Sequence, residues 1–302
     1  MSEADQHTRT SRRYVLIMPT RDEQAYIGET IECIAAQTVP PAECVVVDDG
    51  SSDRTGELAE AAAARHPWLH VVHVPDRGER RVGPGVIEAV YAGYEALQTD
   101  DYEYICKLDG DVTFPPNYFE DIMKRMEEDP KLGGASGKVF NPAGDGTLIE
   151  EHIIDEMIAG QVNFWRRQCW QDIGGFVREV MWDGINFHRA RMLGWHTRSF
   201  RDDRIRIIHH RLMGSSQSSI YHGRMRWGRG QWFMGTHPLY IIASGVFRMR
   251  ERPYVIGGLL IIVGYIMAWV RGVERYGDLE FRKALHRWQL KRLRLGWLLP
   301  RE

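Results

Sequence analysis

Four short runs in the first half of the chain are apolar with little or no interruption: Tyr14–Met18, Cys44–Val47, His70–Val74 and Tyr104–Leu108. Runs of this length, without an alternating polar face, predict strands buried on both sides of a parallel sheet. Between them the period changes. Tyr26–Gln37 sets Ile27, Ile31 and Ile34 on one helical face. Thr55–Arg65 is Ala-rich and follows the capping candidates Ser51, Ser52 and Asp53. Val86–Leu97 reads as a third helix. The βαβαβ order predicts an α/β fold with a doubly wound, mostly parallel sheet whose ligands sit at the carboxyl ends of the strands. After Phe114-Pro115-Pro116 come a helix over Asn117–Glu128, a strand and loop in the Gly-rich Gly133–Gly146, and a second block from Glu150 to about His210.

From Tyr221 the chain turns to Arg, Trp and long apolar stretches, with a Gly/Ser-rich boundary at Gly214–Ser219. Pro238–Phe247 is apolar, and Tyr254–Val270 carries no charge. The second stretch is at the lower limit for crossing a bilayer. Arginines stand on both sides of it, Arg248, Arg250 and Arg252 before and Arg271 and Arg275 after. A crossing helix shows a one-sided excess, so the symmetric flanks predict a helix lying in a membrane interface or a re-entrant hairpin. The plainer alternative is a buried core helix. The tail Arg282–Arg294, with Trp288 and Leu293, predicts a basic amphipathic helix on anionic lipid.

Charge sharpens that division. The net charge of −2 is the sum of −14 over the first 200 residues and +12 from Arg201 onward. An acidic body with a basic end favours an anionic surface as partner, and the interleaved apolar stretches favour membrane over nucleic acid. A solvated basic face is the bland alternative. Hydrophobic residues make up 43% and charged residues 26% of the chain, the balance of a globular protein. Cys33, Cys44, Cys106 and Cys169 form no CxxC pair, which excludes a zinc ribbon and fits a reducing compartment. Residues 1–13 are polar, lack the apolar core of a signal peptide, and are expected to be a disordered tail.

The chemistry gathers where the strands end. Met18-Pro19-Thr20-Arg21-Asp22-Glu23 follows the first strand and Val47-Asp48-Asp49-Gly50-Ser51-Ser52-Asp53 the second. Acidic side chains in such loops can accept from a nucleobase N–H or a ribose hydroxyl, although Asp48, Asp49 and Asp53 could equally cap the next helix. Lys107-Leu108-Asp109-Gly110-Asp111 ends the fourth strand. Carboxylates at i and i+2 project to one side, and Gly110 lets the backbone approach a bound group. Mg2+ or Mn2+ favours one or two carboxylates completed by phosphate oxygens and water. Further on stand Ile173-Gly174-Gly175-Phe176 and Trp182-Asp183-Gly184-Ile185. Asp183 would open a helix to about Leu193, either as a cap or as a general base taking the proton of an attacking hydroxyl.

In this order the motifs resemble the family 2 glycosyltransferases of GT-A fold, over roughly two-thirds of the chain, Tyr14 to Arg211. The resemblance implies a Rossmann-like catalytic domain over 14–215, with a nucleotide-binding half (14–111) and an acceptor-binding half (112–215), followed by a membrane-associating helical extension (216–302). It implies that Pro19, Thr20, Arg21, Glu23, Asp49, Gly50, Ser51, Arg81 and Asp109 bind a nucleotide-sugar, expected to be a UDP-sugar. It further implies that Asp109 and Asp111 hold Mg2+ or Mn2+ with a histidine, His209 or His210, and that Asp183 serves the acceptor. Gly175, Trp182, Arg226 and Trp227 are acceptor candidates. The sequence departs from the pattern in three places. Trp182 stands where an acid usually precedes the catalytic Asp. Arg80, Arg81 and Gly83-Pro84-Gly85 occupy the region of a usual basic residue. Gly223-Arg224-Met225-Arg226-Trp227 keeps the Arg-Trp of processive members without their Gln.

The expected activity is inverting transfer to a lipid-linked or polysaccharide acceptor for cell-surface glycans, at the cytoplasmic face of the plasma membrane. A polyprenyl-phosphate glycosyltransferase and a non-catalytic membrane adaptor on the same fold are the alternatives. A nucleotidyltransferase or dinucleotide oxidoreductase would carry a Gly-rich loop after the first strand, and Met18–Glu23 has no glycine.

Overall fold

The computed structural model describes residues 12–76, 84–211 and 219–295. The chain forms two compact units, Met1–Arg178 with Leu193–His210, and Glu179–Met192 with Arg211–Glu302.

The first unit is built on a seven-stranded sheet. Strands β1 (Tyr14–Thr20), β2 (Glu43–Asp49), β3 (Leu69–Val74) and β4 (Tyr104–Leu108) run parallel, with β1 paired to both β2 and β4. Every residue from Tyr14 to Met18 is fully buried, as the unbroken apolar run requires. Helix α1 (Ile27–Ala35) buries Ile27, Ile31 and Ile34. α2 (Thr55–Ala63) buries Ala59 and Ala62. α3 (Pro84–Glu95) comes so close to the sheet that a Cβ on Gly93 would lie 2.6 Å from Ile17 and 2.7 Å from Val47. The chain steps from β1 outward to β2 and β3, then crosses to β4 on the other side of β1. That reversal leaves a crevice beyond the carboxyl ends of β1 and β4.

The sheet continues through strands not individually legible in the sequence. After a two-residue strand β5 (Val112–Thr113) and helix α4 (Tyr118–Glu128), the Gly-rich segment divides into β6 (Leu132–Gly137) and β7 (Val139–Pro142), which join different sheets. The edge strand β8 (Leu148–Glu150) precedes β9 (Val162–Arg166), which runs antiparallel between β4 and β6. Helix α5 (Arg167–Asp172) follows, and β10 (His196–Phe200) pairs parallel to β6 at the edge. β11 (Ile207–His209) closes a second sheet of order β5-β11-β7-β8.

The second unit is helical: α6 (Trp182–Met192), α7 (Ile220–Met234), α8 (Pro238–Arg248), α9 (Ile256–Val270) and α10 (Leu279–Arg292). Its caps are local. Ser219 accepts from the Tyr221 N–H, Gly235 ends α7 at φ 86°, and Asp278 accepts from the Phe281 N–H. Glycines set the helix spacing. A Cβ on Gly228 would lie 2.0 Å from the Ile261 carbonyl oxygen, and one on Gly264 2.2 Å from that of Met225. Trp232, Ile241, Ile261, Tyr265 and Ala268 fill the space between α7, α8 and α9. Among the described residues no helix is long and apolar enough to cross a membrane.

Candidate active site

The loops after β1 and β2 are tied to each other by backbone and side-chain hydrogen bonds. Thr20 Oγ1 donates to the Val47 carbonyl at 3.2 Å, and Arg21 donates to the Asp49 carbonyl at 2.9 Å and to Asp76 at 2.8 Å. Asp22 takes a left-handed φ of 55°, which aspartate tolerates, and its Oδ1 accepts from the Ser52 N–H at 2.8 Å. The Glu23 N–H donates to Thr55 Oγ1 at 2.7 Å, and Glu23 is buried. The neighbouring aspartates divide their duties. Asp48 accepts from the Ser51 N–H and holds His73 at 3.1 Å. Asp53 accepts from the Thr55 and Gln24 N–H groups and so links the loop after β1 to the start of α2, whose N-cap is Arg54 without a side-chain cap. Asp49 lies half-buried at the end of β2, next to Gly50, whose φ of 68° and contact with Asp76 leave no room for a side chain.

The loop after β4 is held from below. Thr30 on α1 donates to the Gly110 and Val112 carbonyls at 3.0 and 2.9 Å. A Cβ on Gly110 would approach Thr20 to 2.8 Å, so the close pass of the β1 and β4 loops requires glycine there. Lys107, almost wholly buried, bridges Asp109 and the Gly160 carbonyl. Burial pushes the Asp109 carboxyl above its usual range; Lys107 opposes the shift and Asp111 adds to it.

Asp111 meets the second sheet. β5 pairs with β11 so that Val112 lies opposite His209, and this register carries the imidazole to the aspartate. His209 Nε2 is 3.5 Å from Asp111 Oδ2, and both residues are buried. The other ring nitrogen is 3.0 Å from Glu151 Oε1, and Gln161 donates to Glu151 Oε2 at 3.1 Å. Burial pulls the His209 pKa down, but the Asp111 and Glu151 carboxylates more than reverse this, to about 10. His210 turns elsewhere, stacking on Tyr26 with ring centroids 5.6 Å apart and meeting Thr113 at 3.0 Å. Glu151 was not legible as a site residue; its one signal is the acid pair Glu150-Glu151 opening a polar stretch.

Among the described residues no group of three or more His, Cys, Asp or Glu side chains is placed to hold a metal ion by itself. The donor set nevertheless suits a hard divalent cation that takes the rest of its shell from phosphate and water. Asp109 and Asp111 flank a glycine at the crevice, and His209 is oriented by a carboxylate on its far nitrogen, as metal-binding imidazoles usually are.

A family model described as "Glycosyl transferase family 2" matches residues 15–184, more than half of the chain. The chain belongs to glycosyl transferase family 2. Glycosyltransferase GlyG of Streptococcus pneumoniae serotype 4 is 26% identical over 161 residues, which cover 50% of each chain. The undecaprenyl-phosphate mannosyltransferase of Micrococcus luteus is 29% identical over 133 residues, 43% of this chain and 52% of that one. This family 2 chain thus spans about half the length of these curated relatives. A solved mannosyltransferase from Pyrobaculum calidifontis, in complex with GDP-Man and Mn2+, superposes with a TM-score of 0.53 at 16% identity, covering 94% of this chain and 84% of that one. The fold of this family 2 member is GT-A, an α/β sheet with a helical C-terminal part.

The remaining family 2 candidates lie as follows. Arg81 is outside the described residues. Pro19 sits within β1. Gly174 and Gly175 both have φ of 71°, and a Cβ on Gly175 would lie 2.5 Å from the Tyr91 hydroxyl. In the helical unit, Asp183 is half-buried in the first turn of α6, and its Oδ1 accepts from the Gly184 N–H at 2.8 Å. Trp182 beside it is buried. The residue before the helix, Met181, has φ of 62°, uncommon for a side chain of this size, and packs where Gly230 leaves room. Burial lowers the pKa of Arg226, and Arg248 covers the Trp227 ring at 4.4 Å.

Proposed function

We propose that this chain is an inverting glycosyltransferase moving a sugar from a nucleotide diphosphate-sugar, a UDP-sugar, to a lipid-linked or polysaccharide acceptor in cell-surface glycan synthesis. The observation that carries this reading is the Asp111–His209 pair, set beside Asp109 at the switch-point crevice and braced by Glu151. In it, Asp49 and the Thr20–Glu23 loop receive the nucleoside, with Arg81 as a further donor contact. Asp109, Asp111 and His209 would hold Mn2+ or Mg2+. When bound, the cation neutralises charge on the diphosphate. The imidazole donor leans the choice toward Mn2+, since Mg2+ prefers all-oxygen octahedra.

Asp183 takes the proton of the acceptor hydroxyl. The acceptor oxygen forms its bond to the anomeric carbon as the bond from that carbon to the phosphate oxygen breaks, and the nucleoside diphosphate leaves with the electron pair. One displacement inverts the anomeric centre. Local strain at Met181 supports a functional role for the start of α6, because left-handed conformations at large residues persist where the surroundings hold them. Gly175, Trp182, Arg226 and Trp227 are the acceptor contacts in this reading. In this reading the enzyme works peripherally at an anionic membrane surface, the inner face of the plasma membrane, and the net charge of the basic C-terminal third supports that location.

Asp111→Asn, assayed with Mn2+ and with chelator on a panel of nucleotide sugars, tests the reading. Turnover should fall greatly while the fold is kept. Full wild-type activity in excess chelator would remove the metal from it. The likeness to an undecaprenyl-phosphate mannosyltransferase favours a second acceptor class, a polyprenyl phosphate. A phosphate oxygen is already deprotonated at neutral pH and needs no base. Transfer to it would survive Asp183→Asn, whereas transfer to a hydroxyl would not.

A further inference from the structure

The helical unit leaves its most apolar helix half-covered. α9 turns Gly257, Gly258, Ile261, Gly264 and Ala268 inward and Ile256, Leu259, Val263, Ile266 and Val270 outward. The outward five recur at i, i+3, i+7, i+10 and i+14, so they share one stripe, roughly 80° wide at the α-helical repeat. Their exposures run from 42% at Val263 to 77% at Val270, and Trp269 beside them is 59% exposed. The preceding helix adds Leu239, Ile242 and Val246, also exposed. This is the reverse of a water-facing helix, whose outer stripe is charged. The inner face also buries Tyr265, and its glycines bring backbones into contact as small residues do in helices surrounded by lipid.

The two ends of the stripe carry cations. Arg250 and Arg252 are exposed before α9, with the Arg250 guanidinium 3.8 Å from the Phe247 ring, and Arg271 is exposed at its end. At 1.5 Å per residue a 15-residue helix is about 22 Å long, short of the roughly 30 Å of a hydrocarbon core. Cations at both ends and insufficient length fit a helix parallel to the membrane, with both ends among the headgroups. α10 cannot supply this surface. Its Phe281, Leu285 and Leu290 are buried, and Trp288 is ringed by Phe187, His188 and Tyr240. Its outer positions Lys283, Arg287, Lys291 and Arg292 are charged. The basic tail therefore supplies attraction without insertion.

We infer that the Ile256–Val270 stripe of α9, flanked by Arg250, Arg252 and Arg271, is the surface that embeds in one leaflet of an anionic bilayer. The inference rests on the membrane part of the proposed function and is independent of its transfer chemistry. The test uses the full chain with vesicles of equal phosphatidylglycerol and phosphatidylcholine. A Val263→Asp/Ile266→Asp double variant is compared by co-sedimentation with a Lys283→Gln/Arg287→Gln double variant. The α9 variant should lose about tenfold or more in vesicle affinity, the effect of keeping two aliphatic side chains out of lipid. The α10 variant should lose less, and its remaining binding should persist in high salt. Hydrolysis of nucleotide sugar in solution, followed alongside, should be unchanged in both and judges the transfer chemistry separately. Wild-type binding by the α9 variant, or binding lost only through α10, would overturn the inference while leaving membrane association standing. Absence of vesicle binding by the wild type would overturn both. A wild-type dimer in light scattering that the α9 variant breaks would assign the stripe to a second copy instead.

Discussion

In the sheet-bearing unit, β1 hides Tyr14–Met18 completely and sends Thr20–Glu23 to the crevice. In the helical unit, α9 hides three glycines with Ile261, Tyr265 and Ala268, and shows Ile256, Leu259, Val263, Ile266 and Val270. The same residue classes are used in opposite ways. The first unit obeys the ordinary rule for water, in which apolar area leaves the solvent and polar groups line the site. The second unit buries Trp232, Ile261 and Tyr265 between its helices, yet it leaves a row of large apolar side chains of α9 outside. A chain can thus belong to one enzyme family while one of its two parts leaves a large apolar stripe exposed.

The largest expected effect tests whether the two units also divide the chemistry. Asp183→Asn should lower the single-turnover transfer rate to a hydroxyl acceptor by about 10²–10⁴ and leave donor affinity near normal. NMR of the product's anomeric centre should show inversion. Loss of donor affinity in this variant would mean that the helical unit's Asp183 serves binding, and the division would fail.

Packing comes next. Gly137→Ala in β6 places a Cβ 1.6 Å from the Ile205 carbonyl, and Gly228→Ala in α7 places one 2.0 Å from that of Ile261. Neither obstacle is a flexible side-chain tip, so each variant should cost about 1–3 kcal/mol. Calorimetry should show only the transition of the altered unit falling. Two transitions that move together would show that the units melt as one.

Glu151→Gln keeps the shape beside His209 but removes the charge that braces it. Mn2+ affinity of the nucleotide-bound protein, measured by electron paramagnetic resonance titration, should weaken by about 10–100-fold. Unchanged affinity would take Glu151 out of the metal's support.

The smallest effect is in pH. Burial lowers the pKa of His188 well below the usual value, and lowers His237 and His286, all in the helical unit. Their contribution is complete above the unfolded value near 6.5 and is lost as pH falls below it toward their folded values. In the sheet unit, hydrogen bonds that His73 donates to the Glu60 and Asp48 carboxylates raise its pKa. Its contribution is complete below about 6.5 and is lost as pH rises through the raised value. Going from about pH 7.5 to 5.5 should therefore lower the melting temperature of the helical unit, on the order of 5 °C, and spare the sheet unit. Equal shifts in both would erase the contrast.

What was legible follows from periodicity. β4 is the run Tyr104–Leu108 itself, because a fully buried strand announces its length in apolar residues. β9 was hidden, since Val162-Asn163-Phe164-Trp165-Arg166 mixes polar and apolar positions while Asn163 bonds to Trp165 inside the fold. Asp109 and Asp111 could be read from their spacing at a strand end. The choice between His209 and His210 could not: neighbours on a strand face opposite ways, and only the pairing of β11 with β5 decides which faces Asp111. Glu151 escaped because its role lies in one tertiary contact to His209.

The pairing of Val112 with His209 also gives the site an order of assembly. During synthesis, Asp109 and Asp111 leave the ribosome while most of the chain that completes the ladder is still untranslated. The N-terminal strands can collapse first, as early-made segments do, yet the aspartates then end a strand with no imidazole opposite them. Only when Ile207–His209 docks beside β5 do His209 and its Glu151 brace come into register with Asp111. A chain stopped short of Ile207 carries both carboxylates without that partner. The late strand thus acts as a completion mark, coupling formation of the Asp111–His209 pair to translation of the whole sheet-bearing unit.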